Sequence, residues 1–316
     1  MNQSTIADRR QLRRKLTFWR VFASLIAVIA AFVVIALNWP PQAATQEHVA
    51  RVSIHGIITD DRELLERLDR IAKNDRAKAL VVSINSPGGT TYGGEVIFKA
   101  LRKVAEKKPV VADVRTLAAS AGYMIAAAGD TIIAGDSSIT GSIGVIFQYP
   151  QLKDLMDKVG VSLDEIKSAP LKAEPSPFHP ASEEAKAMIR RMVDDSFAWF
   201  VDLVADRRKL PREDVLRLAD GSIYTGRQAL QAKLVDTLGG EEEIRAYLST
   251  RSLDKNLPVI DYEAPRRAGL FGFSLDGADW MRGLLGFDVA PSKALEKLGG
   301  EKLFLDGLVS VWQVGP

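Results

Sequence analysis

Residues Ala79–Ile84, ALVVSI, form a continuous apolar run. A strand wetted on one face alternates apolar and polar residues, whereas a strand covered on both faces need not. The run therefore predicts a strand inside a sheet clad by helices on both sides. Its surroundings repeat the arrangement. Val49–Ile54, Val110–Val114 and Thr131–Ala134 read as strands, and Val161–Ile166 as a further one. Between them, Asp61–Lys73 carries Leu64, Leu65, Leu68 and Ile71 at helical spacing, and Gly94–Glu106 carries Val96, Ile97, Ala100, Leu101 and Val104 on one side. Ser120–Ala128 reads as a helix of small residues. Strands alternating with helices predict an α/β fold with parallel pairing. Beyond Pro180 the pattern turns helical, over Ser182–Arg208, after Pro211, and over Thr225–Lys233. Ser182 with Glu183 and Glu184 suits a helix N-terminus, and Leu238-Gly239-Gly240 closes the region.

The N-terminus is built differently. Val21–Leu37 holds 17 residues without a charge. At about 1.5 Å per residue it reaches roughly 26 Å, the short end for a membrane helix. Trp19 and Trp39 flank it, and all six cations of residues 1–20 precede it (Arg9, Arg10, Arg13, Arg14, Lys15, Arg20). This asymmetry predicts a transmembrane anchor over 21–38 that leaves the N-terminus in the cytoplasm. A cleaved signal peptide is the competing reading, but the run is slightly long for one and no A-x-A lies between Asn38 and Ala50. The expected organisation is a basic tail over 1–20, the anchor, a Pro-bearing linker over 39–48, a catalytic domain over 49–248 and a C-terminal extension over 249–316. The extension is rich in Gly, Leu and Phe, and its composition fits a docking arm, a membrane-surface helix or a loose appendage.

Charge and composition exclude several classes. Of 42 cations and 40 acids, the first 20 residues take six and one, leaving 36 against 39, a net of −3. The body thus lacks the basic excess that tracks nucleic acid. There is no cysteine, hence no disulfide framework, thiol nucleophile or thiolate metal site. Three histidines, His48, His55 and His179, sit in no recognisable catalytic context, and a structural role suits each.

Four other segments carry candidate chemistry. Asn85-Ser86-Pro87-Gly88-Gly89 follows the apolar strand, and its glycines free backbone N–H groups for a ligand or an oxyanion; an ordinary Pro-Gly turn is the alternative. Thr116–Gly122, TLAASAG, joins a strand to a helix and puts Ser120 at the helix N-terminus, either as a plain N-cap or as a nucleophile at the positive end of the helix. Thr140–Val145, TGSIGV, is a second Gly/Ser segment. Ile166–Lys172, IKSAPLK, opens a Pro-rich loop that ends at Pro180. A catalytic lysine must be neutral. Its ordinary pKa is near 10.4, and a drop of about 3 units costs roughly 4 kcal/mol, which burial can supply.

NSPGG, AASAGY, TGSIGV and IKSAPLK, in this order, resemble the signal peptide peptidase SppA family, and ADGSIYTGRQALQAKLVDTLGG extends the likeness over about residues 49–245. The resemblance, to the short form of that family, implies a ClpP/crotonase-like fold of repeated β-β-α units and a serine protease with a Ser/Lys dyad. Ser120 matches the nucleophile, Lys172 the general base and Ser142 a hydroxyl that positions the lysine. Lys167 belongs to the motif without being the matching position. Gly88 or Gly89 would give an oxyanion N–H. Family members often read Ser-Gly-Gly where this chain has Ser120-Ala121-Gly122. The resemblance further implies no metal or cofactor and peptide substrates: remnant signal peptides, and also unfolded segments such as those of misfolded envelope proteins. It also implies a ring- or dome-shaped homo-oligomer on the outer side of a bacterial inner membrane, contacting lipid through the N-terminal helix. Two rivals share the fold: a scaffold without turnover, and a crotonase-type enzyme acting on an acyl-CoA.

Overall fold

The structure, a computed structural model, describes residues 15, 17–29, 31–32, 46–263 and the backbone of 309–311. The chain divides into an N-terminal unit, Met1–Gln46, and a main unit, Glu47–Pro316. In the first, residues 17–29 are helical, and the side chains of Phe18, Trp19, Val21, Leu25, Ile26, Val28 and Ile29 are exposed. Among the described residues no helix is long and apolar enough to cross a membrane. The far end of the expected anchor, most of the linker and most of the C-terminal extension fall outside the described residues.

In chain order the main unit runs β1 (His48–Ile58), α1 (Arg62–Lys73), β2 (Ala77–Thr90), α2 (Thr91–Ala105), β3 (Val110–Ala119), α3 (Ala121–Ala126), β4 (Thr131–Ala134) and β5 (Ile139–Gly141). Then come α4 (Lys153–Val159), α5 (Glu183–Arg208), α6 (Arg212–Leu218), β6 (Ile223–Thr225), α7 (Gly226–Gln231), β7 (Thr237–Leu238), α8 (Glu241–Thr250), β8 (Val259–Asp261) and β9 (Val309–Val311). The strands join one sheet in the order β6-β5-β3-β2-β1-β8, with β4 between β3 and β7, and β9 on β2. The β1–β2, β2–β3, β3–β4 and β3–β5 ladders are all parallel, as the alternation of strands and helices requires.

Helix ends follow their capping residues. The Asp61 carboxylate accepts from the Leu64 N–H at 2.9 Å, the Thr90 hydroxyl from Gly93 at 3.1 Å, and Ser182 from Ala185 at 3.1 Å. Each satisfies a donor that the first helical turn leaves open. The helix expected from Gly94 begins at Thr91, so Gly93 and Gly94 lie inside α2. A Cβ at Gly94 would meet the Met124 sulfur at 2.9 Å and the Ala121 Cβ at 3.1 Å, so this glycine lets α2 lie close against α3.

The sheet is covered on both faces. On one, Val52, Ile54, Leu80, Val82, Ile84, Val110 and Ala112 pack under Leu68 and Ile71 of α1, Ile97 and Leu101 of α2, and Phe200 and Val204 of α5. On the other, Val49, Ala79, Val81, Val111 and Ile133 meet Ile244 and Leu248 of α8. Each fully buried aliphatic side chain stabilises the fold by about 1.5–3 kcal/mol. The sheet continues past residue 248, since β8 lies parallel to Val49–Arg51 of β1. The Tyr262 hydroxyl lies 2.9 Å from the ring nitrogen of buried His48 and accepts from Asn74 at the same distance.

Val161–Ile166 is not a strand. Val161, Leu163 and Ile166 are exposed, and the segment joins none of the ladders. Apolar and polar residues alternate there, but alternation marks only a two-sided surface; a strand also needs a neighbour to satisfy its backbone.

One topological feature positions the site. The sheet forks along β3. Val111–Val114 pair with β4, whereas Leu117–Ala119 pair with β5. A polar cavity of about 370 Å³, lined by Asp113, Arg115, Thr116, Ser137 and Ser138 among others, opens in the fork. The upper branch ends at Ser120.

Candidate active site

Ser120 stands where β3 stops and α3 starts. Its backbone has φ 57° and ψ −119°, a region that costs a non-glycine residue about 1–3 kcal/mol. The surroundings impose it. The Ser120 N–H donates to the Gly141 carbonyl at 2.8 Å, and its carbonyl accepts from the Met124 N–H at 2.9 Å. Every residue of α3 is buried, and the Tyr123 hydroxyl donates to the Leu234 carbonyl at 2.8 Å. Burial pushes the Tyr123 phenol well above its ordinary range. The Ser120 hydroxyl makes no N-cap bond to the helix, so the plain N-cap reading fails. A serine held buried in a strained strand-to-helix turn, and not used to cap the helix, has the geometry of a nucleophile elbow.

The Gly-rich segment lies beside it. Ser86 is paired with Ala118 of β3, and a Cβ at Gly122 would come within 2.9 Å of the Ser86 carbonyl. The Ser86 hydroxyl donates to the Gly56 carbonyl at 2.6 Å and accepts from the Gly88 N–H at 3.1 Å. Gly88 has φ +113°. At Gly89 a Cβ would sit 1.9 Å from the Ile58 carbonyl oxygen, so only glycine fits. Gly88–Thr90 also pair antiparallel with Val309–Val311 of β9.

Ser142 joins the same place from β5. The ladder pairs Ala119 with Gly141, which sets Ser120 and Ser142 side by side, each one residue past its paired strand. Ser142 is buried, with φ 50°, and its N–H donates to the Ser222 carbonyl at 2.7 Å. The Thr140 hydroxyl donates to the Ala118 carbonyl at 2.8 Å and stitches β5 to β3.

The comparisons with known proteins agree with this geometry. The model of peptidase family S49 matches residues 102–253 and that of Clp protease residues 50–134. A Synechocystis sp. chain named as a protease is 38% identical over 225 residues, covering 71% of this chain and 81% of its own. A Methanocaldococcus jannaschii chain, also named as a protease, is 36% identical over 215 residues, 68% of this chain and 69% of its own. An Enterococcus faecium chain named as a signal peptide peptidase SppA is 33% identical, over 70% of this chain and 69% of its own. The chain belongs to the SppA family, peptidase family S49.

This SppA-family chain is thus a serine protease with a ClpP-like α/β fold. The S49 match spans Ser120, Ser142 and Lys172, and the Clp match spans Gly88, Gly89 and Ser120. The structure brings Ser120, Ser142 and the glycines together. Lys172 is not among the buried residues of this cluster. Lys172 is exposed, in a run of turns where its N–H donates to the Ala169 carbonyl at 3.1 Å, and its amine makes no hydrogen bond or ion pair among the described residues. Lys167 is engaged with Glu165 at 2.5 Å and Glu174 at 2.7 Å. These two carboxylates raise its pKa and hold it cationic, which removes it as a candidate base.

His48 is a buried partner of Tyr262, His55 is exposed on β1, and His179 lies 3.3 Å from Glu174. Among the described residues no group of three His, Asp or Glu side chains could hold a metal ion. The first amide after Ser120 is the N–H of Ala121, which opens α3. A backbone group has no signature of its own; its place after a strained serine is what marks it.

Proposed function

We propose that this SppA-family chain is a membrane-anchored endopeptidase that cuts remnant signal peptides through a Ser120/Lys172 dyad. The observation that carries the reading is the Ser120 elbow, strained and buried beside Gly88 and Ser142. Neutral Lys172 takes the Ser120 proton as the hydroxyl oxygen attacks a peptide carbonyl. The Ala121 N–H, with that of Gly89 or with that of Gly88 once it leaves the Ser86 hydroxyl, stabilises the developing oxyanion. The lysine returns the proton to the leaving amine, and water then releases the acyl group. Ser142 holds the lysine.

The substrate lies extended along Gly88–Thr90, in the place that β9 takes in this structure. The antiparallel pairing of β9 with those residues supports this, since the edge accepts a strand in that sense. Lys172 is presented outward, on an arm that also exposes Leu155, Val159, Val161, Leu163 and Ile166. This favours an oligomer in which the arm reaches the Ser120 of a neighbouring copy and Lys172 becomes buried. The apolar N-terminal helix anchors the chain in a bacterial inner membrane, with the main unit outside the cytoplasm.

The test is fluorophosphonate labelling of the detergent-purified full chain, read by intact mass, alongside cleavage of a signal-peptide substrate. One adduct on the wild type, absent from Ser120→Ala and Lys172→Ala, is expected, with a rate that rises toward alkaline pH as the lysine deprotonates. Full turnover by either variant, or a rate flat from about pH 6 to 10, rules out the dyad.

A further inference from the structure

The arm that carries Lys172 has almost no regular structure of its own. Residues 161–182 contain neither helix nor strand, so no ladder of backbone bonds sets their path. Turn bonds act locally, from the Lys172 N–H to Ala169 and from the Glu174 N–H to Leu171 at 3.4 Å. Left to these alone, the crest of the arm would sample many conformations.

Charged side chains tie its base instead. Glu174 is the centre of the cluster. One of its carboxylate oxygens accepts from the Lys167 amine at 2.7 Å and lies 3.3 Å from His179. Its other oxygen accepts from the Ser176 N–H at 3.2 Å. The Glu165 carboxylate takes Lys167 from a second side, at 2.5 Å, and lies 3.7 Å from His179. Ser176 continues the chain of contacts by accepting from the Phe178 N–H at 3.2 Å. The Glu174 side chain is only 6% exposed, against 20% for Lys167 and 26% for Glu165. An exposed ion pair would contribute little. Removing Glu174 from a pair this sheltered costs Lys167 one of its two opposite charges, and loosens the cluster. The Lys167 bond in turn holds the Glu174 carboxyl below the ordinary carboxylate range.

The Lys167–Glu174 bond closes residues 167–174 into a ring, and Lys172 lies within it, two positions from one end. We infer that the Glu165–Lys167–Glu174–His179 cluster is a clamp that positions Lys172, with Glu174 as its central positioning residue. The cluster touches neither substrate nor Ser120. It acts through the backbone, fixing the direction in which the Lys172 side chain leaves the arm. This rests on the reading of Lys172 as the base.

The clamp is tested in the assembled full chain with a peptide substrate, comparing Glu174→Gln, Lys167→Gln, the double variant and Lys167→Arg with Lys172→Ala. Glu174→Gln keeps the size of the side chain and an acceptor for Ser176 while removing one of the two charges that hold Lys167. The expected result is a fall of about tenfold or more in kcat, with KM within about twofold. The double variant falls little further than Lys167→Gln alone, since that substitution already removes the Lys167–Glu174 bond. Lys167→Arg retains most of the rate, and the alkaline rise keeps its midpoint because the base is unchanged. If Lys172→Ala is dead while Glu174→Gln and Lys167→Gln turn over at wild-type rates, the clamp is refuted and the dyad stands. If Lys172→Ala is fully active, the dyad fails and the clamp with it. Should Glu174→Gln lose its assembly, the two Lys167 variants decide: loss with Gln and retention with Arg are expected, and equal rates overturn the inference.

Discussion

Ser120 and Lys172 are held in opposite ways. The serine ends a strand paired on both sides, its N–H and carbonyl are both bonded, and the helix after it is wholly buried. The lysine rides on turns, exposed, stabilised by side chains five and two residues away. A single chain can force strain onto one residue only where packing overdetermines the backbone, and only the first region has that packing. The Ser120 elbow is therefore complete within the chain, while the arm leaves its apolar residues exposed.

The sharpest break of this contrast is at the elbow. Ser120→Ala and Ser120→Gly should both lose at least about a thousandfold in kcat. Ser120→Gly should nonetheless melt higher than Ser120→Ala, by about 1 kcal/mol, because glycine tolerates the positive φ. Equal melting of the two would show that the turn is not strained. Next comes mixing. Ser120→Ala and Lys172→Ala, each inactive, should regain turnover when dissociated and reassembled together, if arm and elbow meet between copies. A mixture that stays dead places both residues in one chain.

Gly89→Ala probes the rigid side. Its Cβ would overlap the Ile58 carbonyl, and urea unfolding should show a loss of about 2–4 kcal/mol. A loss under about 0.5 kcal/mol would mean that β1 and β2 can separate there.

The smallest effect lies in the fork. Burial raises the pKa of Asp113, against the pull of Arg115 and Ser83. Between the unfolded and the raised folded pKa the native state binds the extra proton, so stability falls as pH rises through that interval. Asp113→Asn should therefore melt above the wild type at neutral pH, and the advantage should shrink as the solution is acidified toward pH ~4. An advantage independent of pH would assign it to something other than the charge.

Much of this was legible in the residues, for reasons that differ by element. ALVVSI predicted a doubly covered strand because covering both faces removes alternation, and α1, α5 and their caps follow from spacing and from Asp61 and Ser182. The three-residue strands β5, β6 and β8 are too short to display a period, yet β5 sets Ser142 beside Ser120. The helix expected from Gly94 starts three residues earlier, at Thr91, and Gly93 and Gly94 are contact residues inside α2. Val161–Ile166 has the periodicity of a strand but lacks a partner. The motif marked Ser120 while concealing its backbone, because positive φ in a non-glycine residue is imposed by the fold. Glu174 was invisible, since a glutamate in a loop acquires meaning only when Lys167 and His179 are seen to face it.

The bond between His48 and Tyr262 has a consequence for how β8 is held. It joins the first residue of β1 to the residue just past β8, across two neighbouring parallel strands, and the Tyr262 hydroxyl also takes the Asn74 amide. A three-residue strand has few ladder bonds of its own. Its hold on the sheet is completed by a latch of side chains, and a latch can be sprung without disturbing the strands behind it.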